Sequence, residues 1–194
     1  MKFTRQTLAL VAGCALAGTV SCVWAQDWPQ WRGANRDARA AGFKVPQTWP
    51  KELTQKWKVT VGEGAATPSL VGNDLFVFAR QEGREVLRCL DAATGQERWR
   101  DTYDALGAEG PASGHSGPRC SPTVAEGKVV TLGLRGVLSC YDAAGGKRLW
   151  RKEDFKGAWP RFFTSASPLV ANGLCVALLG DRKSTRLNSS HATL

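Results

Sequence analysis

Apolar positions in this chain fall in short runs separated by pairs of turn-forming residues. Three stretches align without a gap: residues 68–78 (PSLVGNDLFVF), 122–132 (PTVAEGKVVTL) and 168–178 (PLVANGLCVAL). Each opens on a proline, continues as a short strand, turns, and resumes in Val-, Phe- or Leu-rich sequence suited to a pleated, half-buried surface. The pairs Gly72-Asn73, Glu126-Gly127 and Asn172-Gly173 stand where a two-residue hairpin demands positive φ. Three β-hairpins are predicted.

The first two hairpins continue in parallel. Residues 86–99 (VLRCLDAATGQERW) match residues 137–150 (VLSCYDAAGGKRLW). A third strand ends at Asp91 or Asp142, a turn closes at Gly95 or Gly146, and a fourth strand carries Trp99 or Trp150. An Asp at the head of such a turn accepts hydrogen bonds from amides two or three residues on, and the Gly supplies a left-handed conformation. A residue that recurs once per unit is architecture, so these six residues are assigned to the repeat rather than to catalysis or metal binding. Four antiparallel strands recurring every 40 to 50 residues describe a propeller blade. Trp99 and Trp150 stand 51 residues apart, and Trp57 precedes Trp99 by 42. Residues 53–59 around Trp57 read as an isolated fourth strand. The expected fold is all-β: an incomplete β-propeller over residues 50–180, with about two full blades, a lone amino-terminal strand and the start of a third blade. No helix is expected after residue 25.

The run from Asp91 to Trp99, preceded by a hairpin that opens Ser/Thr-Pro, resembles the pyrroloquinoline-quinone-like (PQQ-like) repeat. Members of that family include quinoprotein dehydrogenases and the propeller subunit of the outer-membrane-protein assembly machinery. Residues 27–37 (DWPQWRGANRD) resemble the start of exported bacterial members. The resemblance covers about residues 27–180 and implies that Trp99 and Trp150 dock onto neighbouring blades, a burial of roughly 2–3 kcal/mol each. Gly145, where the repeat has Thr, departs from the pattern.

The two ends change the composition picture. Lys2 and Arg5 precede an apolar or small stretch through Val23, and Val23-Trp24-Ala25 suits a leader peptidase, so residues 1–25 are expected to be a signal peptide cleaved after Ala25. The stretch is short and rich in Ala and Gly for a permanent span. Acylation at Cys14, within Val-Ala-Gly-Cys, is the lipoprotein alternative. Residues 26–49 read as an amino-terminal extension. Residues 181–191 (DRKSTRLNSSH) share nothing with the repeats and match, at all eleven positions, the translation of a widely used sequencing adaptor. Residues 181–194 are therefore expected to be non-native, and the chain an amino-terminal piece of a longer protein; a natural basic tail is the alternative. Setting aside Lys2, Arg5, Arg182, Lys183, Arg186 and Asp181 lowers the formal charge from +9 to +5. The remaining bases are scattered singly, which argues against a nucleic-acid partner.

Of the six cysteines, Cys89, Cys120, Cys140 and Cys175 lie beyond the leader. Cys89 and Cys140 hold equivalent repeat positions and are expected as small buried residues. No Cys-x-x-Cys pair, no adjacent cysteines and no phosphate-cradling glycine loop occurs. Chemistry is sought in two long loops instead. One, residues 104–119, holds Ser113, His115 and Ser116. The other, residues 153–164, holds Lys156, Trp159, Arg161, Phe162 and Phe163. Both join a fourth strand to the next first strand and so are expected on one face of the disc. There His115, Trp159 and Arg161 are the loop-site candidates, for a small molecule or a peptide. The competing assignment has Trp159 and Phe162 filling the gap between blades. The sequence favours an exported, non-catalytic binding or assembly module, periplasmic or secreted, with no cofactor evident in these residues. A quinoprotein dehydrogenase using PQQ and Ca²⁺ in the intact protein is the main alternative, and a propeller hydrolase or sugar-binding domain the second.

Overall fold

The computed structural model describes residues 26–155, 159–160, 162–180 and 187–193, the last for backbone only. The signal peptide and the candidate residues Lys156 and Arg161 lie outside the described residues. Two complete four-stranded antiparallel sheets follow one another: β1 Ser69–Val71, β2 Asp74–Gln81, β3 Arg84–Asp91 and β4 Glu97–Asp104, then β5 Thr123–Ala125, β6 Lys128–Leu132, β7 Leu138–Asp142 and β8 Arg148–Lys152. A third sheet begins with β9 Leu169–Ala171 and β10 Leu174–Gly180. Leu187–Thr193 (β11) lies antiparallel along β10, where the first two sheets place their third strand. A single 3-10 turn at Gly110–Ala112 is the only helical segment among the described residues.

All three predicted hairpins form; the second and third have the expected pair of positive-φ residues, whereas in the first only Gly72 (φ 57°) is positive and Asn73 is not. Glu126 and Gly127 sit at φ 51° and 71°, and Asn172 and Gly173 at 53° and 72°. This positive pair matches the twist of the flanking strands. In both complete blades the register slips at one place, between Cys89 and Leu90 against β4 and between Cys140 and Tyr141 against β8. The slip makes a bulge one residue before each Trp, which leaves Cys89 opposite Trp99 and Cys140 opposite Trp150.

Blades pack through their apolar faces. Phe76, Phe78, Leu87 and Cys89 of the first meet Val129, Val137 and Tyr141 of the second, and Val130, Leu132, Leu138 and Cys140 of the second meet Cys175, Ala177 and Leu179 of the third. All four described cysteines are free and buried, and burial pushes their thiols up to about 11 or 12, which leaves them inert packing groups. The first strands adjoin one another, β1 against β5 and β5 against β9. There the Ser/Thr-Pro openings form a repeating ladder. Ser121 Oγ accepts from Thr67 N at 3.1 Å, and Ser167 Oγ from Ser121 N at 2.9 Å. In the other direction Ser69 Oγ donates to Pro122 O at 2.6 Å and Thr123 Oγ1 to Pro168 O at 2.7 Å. The third opening has Leu169 where the others have Ser69 and Thr123, so it carries no hydroxyl for a further rung.

The repeated indoles dock on the next blade's corner. Trp99 Nε1 donates to Ala143 O at 3.1 Å, and its ring lies against Gly146, where an added Cβ would overlap the ring. Trp57 does the same one blade earlier: Nε1 donates to Ala92 O at 3.0 Å, and a Cβ on Gly95 would stand 2.7 Å from the ring. Residues 53–59 join no ladder among the described residues, yet Trp57 takes the place a fourth-strand indole takes elsewhere.

Candidate functional site

The turn joining β6 to β7 and the two long loops meet at one end of the blades, as their position after the fourth strands requires. Ala108 and Ala112 of the first loop, Leu134 of the turn and Phe163 of the second loop form a small separate core, with Trp159 packed against it. Arg119 ties the loops together: its guanidinium donates to Phe162 O and to His115 O (3.3 Å) and lies 5.9 Å from the Phe163 ring centroid. The gap-filling assignment needs a correction. Phe162 is 56 % exposed and Phe163 6 %. Phe163 adopts a left-handed backbone (φ 66°), which turns its ring inward onto Leu134.

Trp159 stands at the mouth of a cavity of about 290 Å³, lined by Glu85, Asp104, Ala105, Leu106, Arg135, Val137 and Trp159. Its ring stacks on Phe163 (centroids 6.1 Å, 13° between planes), and the Arg135 guanidinium lies 5.1 Å from the Trp159 centroid and 5.5 Å from that of Phe163. Arg135 is held there by Gly107 O (2.8 Å) and Glu109 Oε1 (2.5 Å). The cation thus lies against the flank of the stacked ring pair, within reach of both rings.

The floor of the cavity is Glu85, 1 % exposed. It lies at the start of β3, in phase with Leu87 and Cys89, so a carboxylate points where its neighbours bury apolar groups. Glu85 Oε1 accepts from Leu134 N at 2.7 Å and Oε2 from the Tyr103 hydroxyl, and Gly133 leaves the room this needs. Burial pushes Glu85 above the usual carboxylate range against the pull of those two donors, and pushes the Tyr103 phenol well up. Behind it, Arg151 stacks 4.1 Å over Tyr103 and bonds Asp101 Oδ2 (2.5 Å), the Tyr141 hydroxyl (2.9 Å) and Ser139 Oγ (2.9 Å). A buried polar seam thus joins the first two blades directly under the cavity.

His115 goes elsewhere. It is exposed, on the rim of a second cavity of about 290 Å³ lined by residues 62–65 and 114–117. Ser116 Oγ donates to Ser113 O at 2.9 Å, so that hydroxyl serves the loop's own turn. The structure therefore separates His115 from Trp159, keeps Phe163 beside Trp159, and adds Glu85, Arg135 and Arg119, none of which the sequence singled out. Only Glu85 carried a legible signal, as an acid in phase with apolar neighbours.

Asp91, Gly95, Trp99, Asp142, Gly146 and Trp150 lie at the corners and junctions, away from both cavities. Among the described residues no group of three or more His, Cys, Asp or Glu is arranged to hold a metal ion, and the chain has no adjacent cysteines. Among the described residues the donors do not assemble a quinone–calcium site. Among the described residues no helix is long and apolar enough to cross a membrane.

Corner-docked indoles between successive four-stranded sheets define a β-propeller of the PQQ-like class. The chain belongs to the PQQ-like repeat family whose model is described as outer membrane protein assembly factor BamB, matched over residues 21–192. It is similar to the outer membrane protein assembly factor BamB of Burkholderia pseudomallei (strain K96243), 33 % identical over 116 residues, covering 59 % of this chain and 25 % of the relative. In fold it is similar to the quinohemoprotein alcohol dehydrogenase of Comamonas testosteroni, with TM-score 0.55 and 22 % identity over 80 % of this chain and 23 % of that one. The chain thus spans about a quarter of the length of these relatives.

Proposed function

We propose that the chain belongs to an exported propeller that acts as a binding or assembly module in the periplasm, with its ligand held on the loop face at the Trp159–Arg135 cavity. The observation that carries this reading is the cavity itself: an aromatic and cationic wall, fixed by Glu109 and Phe163, above a buried carboxylate. Such a wall stacks a planar group or a peptide side chain, while no nucleophile, base and orienting acid converge among the described residues. The relative described as an outer membrane protein assembly factor supports an assembly role and a location at the periplasmic side of the outer membrane.

The test uses the full-length gene product. A photo-crosslinking side chain at Leu106, on the cavity rim, is expected to capture a specific partner in the periplasm, and one at Leu149, on β8, to capture none. Arg135→Ala is expected to abolish the Leu106 product. Quinone absorbance with dye-linked alcohol or sugar oxidation after adding PQQ and Ca²⁺ overturns the non-catalytic reading.

A further inference from the structure

The segment ahead of the blades is bound to them as a ligand would be. Trp28 N donates to Leu70 O at 2.7 Å and Leu70 N to Trp28 O at 3.0 Å, an antiparallel bridge on the edge of β1 that β2 leaves open. Pro29 O then accepts from Val124 N of β5 at 2.8 Å. Asp27 Oδ1 accepts from Gly72 N at 2.8 Å, at the hairpin turn. Further on, Arg36 Nη2 reaches Ser167 O (3.1 Å) and Pro168 O (3.4 Å) at the third opening. Four residues of a ten-residue segment, Asp27, Trp28, Pro29 and Arg36, thus bond to the first hairpin, to β5 and to the third opening, one site in each blade.

The recognition has the parts of strand addition to a sheet edge: main-chain bonds for attachment and side chains for selectivity. Pro29 needs no acceptor for an N–H and offers only the carbonyl that Val124 uses. The Trp28 ring is covered by Gly33, where an added Cβ would stand 3.1 Å away. Between the anchors the segment folds on itself through Gly33 N to Gln30 O (2.9 Å) and Ala38 N to Arg32 O (2.9 Å), with Arg32 and Arg36 at φ 62° and 58°. We propose that the adjoining first-strand edges form a peptide-binding surface, with residues 27–36 as its resident ligand held in cis. The class of partner it fits is a peptide that presents a carboxylate, an aromatic ring and a proline in succession and, beyond a tight turn, a guanidinium. This surface is distinct from the Trp159 cavity, so its test stands apart from that of the loop face.

A tethered ligand competes at an effective concentration in the millimolar range, so the tether must be cut to measure the site. A protease site inserted at the exposed Ala41-Gly42 turn in the full chain leaves every bond above intact. After cleavage the segment is expected to stay bound through gel filtration and to exchange with a labelled synthetic copy of residues 26–41. Trp28→Ala and Arg36→Ala copies are expected to bind at least tenfold more weakly. Immediate loss of the segment from blades with an unchanged circular-dichroism spectrum overturns the proposal, as does equal competition by a scrambled peptide. Should cleavage unfold the blades, the uncut chain decides. The Leu70 and Val124 amides are expected to exchange with solvent at least tenfold faster in Trp28→Ala, and unaltered exchange overturns the proposal.

Discussion

Trp99 and Trp150 hold the same place in successive repeats, yet among the described residues only Trp99 has an acceptor for its N–H. The Trp99 ring lies between Phe76 of its own blade (centroids 5.8 Å) and Tyr141 of the next (6.4 Å), rests on Gly146, and gives its N–H to Ala143 O. Trp150 packs on the second core cluster, but its Nε1 is buried with no acceptor among the described residues. The difference lies in the corner. Trp99 meets an Asp-to-Gly turn, whereas no third such turn follows β10 among the described residues. An indole in this repeat is therefore half of a joint. Its aromatic area is supplied by its own blade, and its polar satisfaction by the following one.

Truncating each indole should break the comparison most strongly. Trp99→Ala removes a ring gripped on both sides and is expected to cost about 3–5 kcal/mol; Trp150→Ala, with one covered side, about 2 kcal/mol. Urea midpoints of the two variants read the difference, and equal shifts would show that corner docking adds nothing to area. The glycine beneath the ring gives the next effect. Gly146 and Gly127 share φ near +70°, but only Gly146 has an indole in the space a Cβ would fill. Gly127→Ala is expected to show backbone strain alone, about 1 kcal/mol, and Gly146→Ala roughly twice or three times that because overpacking adds to the strain. The gap should close in a Trp99→Ala background.

What the sequence made legible was everything written within one repeat. Hairpin turns, corners and indoles each depend on residues a few positions apart, so a local pattern exposes them. What stayed hidden depends on neighbours in other blades. The Ser69 and Ser121 rungs needed knowledge that successive first strands adjoin. Arg135 reaches Trp159 only because a short turn and a long loop share one end of the molecule. Residues 26–49 read as an extension because Asp27, Trp28, Pro29 and Arg36 have no periodic counterpart, although between them they bond to all three blades. At the candidate site, Trp159 was found from its loop, whereas Glu85 stood in plain alternation with Leu87 and was passed over among the strand residues.

The two corners differ as the two indoles do, in the number of donors that hold the aspartate. Asp91 accepts from Ala93 N (3.0 Å), Thr94 N (2.9 Å), Thr94 Oγ1 (3.0 Å), Asn73 Nδ2 (2.7 Å) and Arg98 Nη2 (2.6 Å). The Arg98 guanidinium foremost, helped by the Thr94 groups and Ala93 N, lowers its carboxyl to about 2. At Asp142 the acceptor bond comes from Gly145 N (2.7 Å), and the positions of Thr94 and Arg98 hold Gly145 and Leu149. A carboxylate with a depressed folded-state pKa contributes stability that is present above its unfolded value near 3.9 and is lost as pH falls toward 2. Asp91→Asn is therefore expected to lower the thermal midpoint at pH 7 and to converge on the parent chain by about pH 2. A mutant deficit that stays constant across that window would show that the corner does not need the charge.

The smallest effect is also the cleanest test of the half-joint. Trp→Phe at either position removes similar ring area and the one N–H, so the area loss cancels between the two variants. At position 99 the change also strands Ala143 O, and a net hydrogen bond of about 1 kcal/mol is lost. At position 150 the N–H removed has no acceptor among the described residues, so its desolvation penalty, about 1–3 kcal/mol, is relieved. Trp150→Phe is expected to lie near the parent in urea midpoint or slightly above it, with Trp99→Phe clearly below. If a third Asp-to-Gly corner is then supplied after β10 by a longer chain, the order at position 150 should reverse. In that setting the Trp150 N–H gains its carbonyl, and Phe becomes the worse residue at both joints.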